Sequence, residues 1–254
     1  MRPLYTLIKR EFTAYFLSPI AYVTLAVFLL VTGMLFGKAL ELLTQSGTRG
    51  IEYPMQILLG DEKFWLVFSL IPPLLTMRLL AEERGTGTLE LLMTAPIRDW
   101  QVVAGKYIAC LMFYITLWIP TIAYLPVLLD IDWATGHARI DSWPVVTSYI
   151  GAFFAGAMFL AIGLYVSSLV KSQLVAAMIS LIVGLIFVVG AFWRPDLAAE
   201  SLGYQIIEFV SVPEHFSRYF TRGQIDTRHL IAYATVTLFC LFMTVRSLEA
   251  RRLK

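Results

Sequence analysis

The residues that could do chemistry in this chain are few, and their spacing works against catalysis. Ser167 and Ser168 are candidate nucleophiles, but a serine needs a base within hydrogen-bond reach. The histidines, His137, His215 and His229, all fall in segments assigned below to the opposite side of the chain from those serines. Three scattered loop histidines read as ordinary surface residues rather than ligands. Glu82-Glu83-Arg84 would suit a metal-dependent membrane protease, yet that chemistry also needs histidines on partner helices, and no apolar block contains one. Cys110 and Cys240 sit inside apolar blocks, where free thiols pack as small hydrophobes rather than bridge or bind metal. No G-x-x-x-x-G-K-[ST] phosphate-binding sequence occurs. The chain is expected to hold no catalytic centre, metal or cofactor of its own.

The elements that position these residues are membrane helices. Of the 254 residues 58% are apolar and 15% charged, against about 45–50% and about 25% in soluble domains. The apolar residues gather in blocks of the ~20 needed to cross a ~30 Å hydrocarbon layer as a helix. Six spans are expected in an all-α membrane protein: Ile20 to Phe36, Phe64 to Leu80, Tyr107 to Leu129, Trp143 to Val170, Leu174 to Trp193 and Leu230 to Val245. No stretch between them is long enough for a soluble domain, so residues 1–254 read as one domain. Pro72 and Pro73 are expected to kink the second span, because neither can donate an in-helix hydrogen bond. Residues 1–17 predict an amphipathic helix lying on the membrane. Leu4, Leu7, Ile8, Tyr15 and Phe16 can share its apolar face, with Arg2, Lys9, Arg10 and Glu11 largely elsewhere. No small-x-small site follows the first apolar run, which favours an uncleaved start.

Lysine and arginine bias sets the orientation. The N-terminus, the loops after spans two and four and the C-terminus share Arg2, Lys9, Arg10, Arg78, Arg84, Arg98, Lys106, Lys171, Arg246, Arg251, Arg252 and Lys254. That side is net basic and the other net acidic, so both termini are expected in the cytoplasm. No Asp, Glu, Lys, Arg or His falls in the central part of any span; Lys38 and Arg78 sit near ends, where long side chains reach the interface. Ion- and proton-coupled carriers place such residues at membrane depth. Uphill movement here would draw its energy from outside the membrane.

The segment Arg78 to Lys106 is the most specific part of the chain. Gly85-Thr86-Gly87 can turn it, Thr88 is placed to cap a short helix Leu89 to Thr94, and Pro96 ends that helix. A second helix then runs from Arg98 into span three. Leu89, Leu91, Leu92 and Met93 give the short helix an apolar surface with little of its own chain to cover it, which suits a docking element; a loop folded onto the headgroups is the alternative. Ala81 to Lys106 resembles the first cytoplasmic loop of type-2 ABC exporter permeases, with the pattern E-R-x-x-G-T-L-E-x-L-x-x-x-P-I carried by Glu83, Arg84, Gly87, Thr88, Leu89, Glu90, Leu92, Pro96 and Ile97. The start from Ile8 to Tyr22, which includes Lys9, Arg10, Glu11 and Phe12, resembles the permeases associated with bacterial gliding motility, as does His215 to Leu230.

The resemblance implies a bacterial inner-membrane permease whose N-terminal helix and short coupling helix rest on a separate cytoplasmic ATPase. Two permease chains, identical or related, and two ATPase chains would make the transporter, with ATP and Mg bound by the ATPase and no nucleic acid involved. The residues expected at the ATPase-coupling interface are Glu83, Arg84, Gly87, Thr88, Leu89, Glu90, Leu92 and Pro96, with a lesser contact from the Lys171-Ser172 loop. In the outer loop, Ile206, Ile207, Phe209, Val210, Phe216, Tyr219 and Phe220 predict two short amphipathic helices dipping into the outer leaflet. Two other readings stay open. One is an anchor that passes ATPase movement across the membrane without cargo, and the other is an ion-coupled carrier that needs no ATPase. Gly151, Gly156 and Gly163 in span four and Gly184 and Gly190 in span five suit either close packing or a lined path.

Overall fold

A computed structural model of the chain describes residues 2–45, 54–88, 98–127, 142–190 and 202–252. Helix α1 (Arg2–Phe16) turns directly into α2 (Pro19–Gln45). The short helix α3 (Pro54–Leu59) precedes a span built of α4 (Glu62–Phe68), α5 (Ile71–Thr76) and α6 (Ala81–Thr86). Then come α7 (Asp99–Trp118), α8 (Trp143–Leu169) and α9 (Gln173–Val189). The chain closes with α10 (Leu202–Val210), α11 (Val212–Arg218) and α12 (Thr227–Arg252). Among the described residues there is no strand. Five stretches, Pro19–Leu42, Lys63–Thr86, Asp99–Val127, Trp143–Leu169 and Thr227–Ala250, are long and apolar enough to cross a membrane, and Gln173–Val189 is a shorter apolar helix. The protein is an all-α, multi-pass membrane protein.

The second span breaks where its prolines fall. Pro72 and Pro73 lie in the first turn of α5, where a missing N–H costs least. They cannot serve the carbonyls of Phe68 and Ser69, so α4 ends there, and the Ser69 hydroxyl turns back to the Leu66 carbonyl at 2.7 Å. A second break follows Thr76. Helix α6 restarts with its Leu80 and Ala81 N–H groups donating to Ser167 Oγ of α8, at 3.2 and 3.0 Å. A serine from another span thus caps α6.

Helix α8 is the centre of the bundle, buried along most of its length and packed on α5, α7, α9 and α12. Its glycines are filled from the same chain. A Cβ at Gly156 would come within 3.0 Å of the Tyr114 ring of α7, one at Gly163 would strike Thr76 of α5, and one at Gly151 would lie 2.8 Å from Phe220. Close packing is the role of these three. Cys110 and Cys240 are buried and free.

Helix α2 runs nine residues past Phe36, because Gly37 to Gln45 holds mostly good helix formers and Ala39 still packs inside. Two helices occupy the loop before the last span. Helix α10 leaves Ile206 and Phe209 exposed, while α11 turns inward: Val212, His215 and Phe216 are buried, with Phe216 4.5 Å from Trp65.

Candidate functional site

The basic end of the bundle gathers the loop base, the N-terminal helix and the starts of two spans. Helix α1 docks on α7 at Gly105, where an added Cβ would lie 2.7 Å from Leu7 Cδ2. Tyr15 stacks on Phe113 at 4.9 Å and donates from its hydroxyl to the Leu75 carbonyl at 2.9 Å. This docking corrects the expected helical face. Glu11 lies one turn from both Leu7 and Tyr15 and therefore faces the bundle, whereas Phe16 is exposed. Lys9 and Arg10 point outward, and Phe12 is partly buried against the core. Helix α1 thus packs on protein as well as presenting a polar side.

Lys106 is the centre of this end. It is 1% exposed, and its ammonium donates to Glu83 Oε1 at 2.7 Å and lies 3.4 Å from Glu11 Oε1. Arg10 pairs with the same Glu11 oxygen at 2.6 Å. Burial pushes the Glu11 carboxyl up, but the charges of Lys106 and Arg10 outweigh it and hold the group below the usual carboxylate range. Glu83 Oε2 is buried without a hydrogen-bond partner. A cleft of about 380 Å³, lined among others by Glu11, Arg78, Glu82, Glu83, Thr88 and Lys106, opens beside the triad. Arg78 bridges Ser18 Oγ and Glu82.

Of the residues expected at the coupling interface, Glu83, Arg84, Gly87, Thr88 and Lys171 are described, while Leu89, Glu90, Leu92 and Pro96 lie outside the described residues, as does the expected helix Leu89 to Thr94. Glu83 and Arg84 are engaged within the chain. Arg84 Nη1 donates to the Ser168 and Val170 carbonyls at 2.7 and 3.0 Å, capping the C-terminal end of α8. Helix α6 persists through Gly85 and Thr86, so Gly87 alone makes the turn, with φ of +75°. The Thr88 hydroxyl lies 2.9 Å from that of Thr86 and donates to the Glu83 carbonyl at 3.4 Å. The Lys171 carbonyl stands 3.0 Å from where a Cβ on Gly85 would be, so α6 touches the loop between α8 and α9.

Two features were not foreseen from the sequence. Lys106 is partnered by residues 23 and 95 positions away, although a lone lysine between Val103 and Tyr107 on an apolar helix was a signal of burial. The other is at the opposite end. His215 and His229 are not surface residues: they are buried and stack at 3.7 Å. His215 Nδ1 meets the Tyr233 hydroxyl at 2.7 Å, and Nε2 meets the Glu208 carbonyl at 3.1 Å. Only a donor suits a carbonyl, so neutral His215 carries its proton on Nε2. Burial, with the stacked His229 adding to it, pushes the His215 imidazole down to about 3. His137 lies outside the described residues. Ser167, engaged at the basic end as a cap for α6, forms no pair with either described histidine, so there is no Ser–His pair among the described residues.

The described residues thus form a multi-pass bundle whose loop base is tied into two spans by charge and hydrogen bonds. The chain belongs to the ABC-2 family of transporter proteins, whose family model matches residues 55–202. Membership makes it a non-catalytic transport subunit of an ABC transporter and implies an ATPase partner. No curated protein matches the chain.

Proposed function

We propose that this chain is the permease subunit of an ATP-driven exporter in the bacterial inner membrane. Its basic end faces the cytoplasm, where α1 and the 81–106 loop rest on a separate ATPase that binds ATP and Mg. The observation that carries this reading is the way the loop base is bonded into the bundle. Glu83 grips α7, while Arg84 and the N-terminus of α6 grip α8, so a push on the loop reaches two spans at once. The missing phosphate-binding sequence and the uncharged centres of the spans support an external ATPase as the energy source. The functional unit is two such chains with two ATPases, and segments 8–22 and 215–230 resemble the gliding-motility permeases. A cargo-less anchor is the second reading, favoured by the filled glycines of α8, which leave no lined path along that helix.

The test is co-purification of the chain with its cognate ATPase, wild type against a Leu89→Asp, Leu92→Asp double variant. Loss of the ATPase from a normally inserted variant is expected. Undiminished binding would refute docking through residues 89–94, and a wild-type chain that binds no ATPase would refute the exporter reading itself.

A further inference from the structure

Lys106 is buried and paired with two carboxylates, and stability does not explain it. A buried ion pair can usually be replaced by apolar residues of similar volume with little loss, whereas removing one partner leaves an uncompensated charge. What a buried pair does provide is a fixed register between the elements it joins. Here it joins three. The carboxylates come from α1 and α6, and the ammonium from the first turns of α7. Under the function proposed above, on which this inference rests, α1 and the loop after α6 are the two parts that touch the ATPase.

We infer that Lys106 is the positioning residue that makes the N-terminal helix, the loop base and span three move as one body when the ATPase changes state. Several observations converge on it. Gly105, its neighbour, is the seat for Leu7 of α1, so the docking of α1 and the ion pair fix the same point of α7. Glu83 has a second oxygen sealed in the protein with no partner, which leaves Lys106 as the one cation paired with it among the described residues. The next residue, Arg84, is bonded to the far side, onto the carbonyls that end α8. Adjacent residues of α6 therefore hold two different spans. If the Lys106 contact were cut, α6 would stay fastened to α8 but slip relative to α7 and α1. The two contacts of Lys106 are unequal. The bond to Glu83 is short, and the one to Glu11 is longer and shared with Arg10, so Glu83 is the stronger link.

The experiment uses the full chain in complex with its co-purifying ATPase. Spin labels go on Ile119→Cys and Ile231→Cys, exposed positions away from the basic end, and the distance between them is measured without nucleotide and with the ATPase trapped by ATP and vanadate. Wild type is expected to show a trapped-state shift. Lys106→Met is expected to keep the ATPase bound and lose most of that shift. Lys106→Arg restores it, and Glu83→Gln loses more of it than Glu11→Gln does. A full shift in Lys106→Met overturns the inference, as does equal loss in Lys106→Met and Lys106→Arg at unchanged melting temperature. Should Lys106→Met not fold, the ranking of the two isosteric glutamine variants decides: a smaller loss for Glu83→Gln than for Glu11→Gln overturns it. A wild-type chain that binds no ATPase instead refutes the exporter reading beneath it.

Discussion

Replacing Gly156 with alanine sets a methyl group where the Tyr114 ring already stands. The new Cβ would lie less than 3.0 Å from Cζ, Cε1 and Oη of that ring, while carbon atoms rest at about 3.5–4.0 Å. The ring has to withdraw. Doing so breaks the bond from its hydroxyl to the Ala152 carbonyl, 2.8 Å long and buried, and shifts the ring against Phe68 and Trp118, whose centroids stand 6.1 and 6.2 Å away. Overfilling a packed core costs about 1–3 kcal/mol, and loss of one hydrogen bond about 0.5–1.5 kcal/mol. Together they predict destabilisation of roughly 2–4 kcal/mol. Thermal unfolding of the purified chain in detergent measures it, within a cycle that includes Tyr114→Ala. Once the ring is gone, Gly156→Ala should cost little, giving a coupling of about 1–3 kcal/mol. Gly156→Ala within about 0.5 kcal/mol of wild type, or strict additivity with Tyr114→Ala, would refute the close-packed reading of α8.

Two further outcomes follow from single groups. Because burial holds His215 neutral down to about pH 3 while an unfolded histidine titrates near ~6.5, its contribution to stability is complete above that pH and is lost as pH falls toward 3. Wild-type stability should therefore drop between pH 7 and 4, by up to about 1.4 kcal/mol per pH unit from this group, read as a falling melting temperature, and a His215→Asn variant should show a flatter profile. Gly87→Ala should cost about 1–2 kcal/mol locally from its left-handed backbone, since none of the described residues lies within 4 Å of the added methyl. Limited proteolysis of the loop should speed up in Gly87→Ala and less so in Gly87→Asn, which tolerates that conformation better.

Much of the architecture was legible because the membrane imposes a length and a polarity that single residues cannot hide. The broken second span was legible too, since Pro72 and Pro73 withhold donors wherever the helix runs. The tertiary pairings were not. Glu11 was misplaced because hydrophobicity alone drew the face of α1, although its spacing from Leu7 and Tyr15 puts it on the buried side. Lys106 depends on α1 settling into Gly105, and the histidine stack depends on α11 turning into the bundle. Both are long-range choices with no local period. At the loop base the motif pointed to Glu83 and Arg84, but their partners, a lysine and two helix-ending carbonyls, come only with the fold.

The helices of this bundle are unequal in length, and that has a consequence for the bilayer around it. At 1.5 Å per residue the 17 residues of α9 span only about 26 Å, short of a ~30 Å hydrocarbon layer, while the 27 of α2 reach about 40 Å. Helix α9 lies on the perimeter, with Leu174, Met178, Ile182 and Ile186 turned outward. At its far end it meets Ile206 and Ile207 of α10 across an apolar groove of about 580 Å³. A short helix facing lipid is accommodated by thinning of the bilayer, and a long one by tilting or protruding. By length alone, the α9 flank matches a thinner hydrocarbon layer than the α2 flank does.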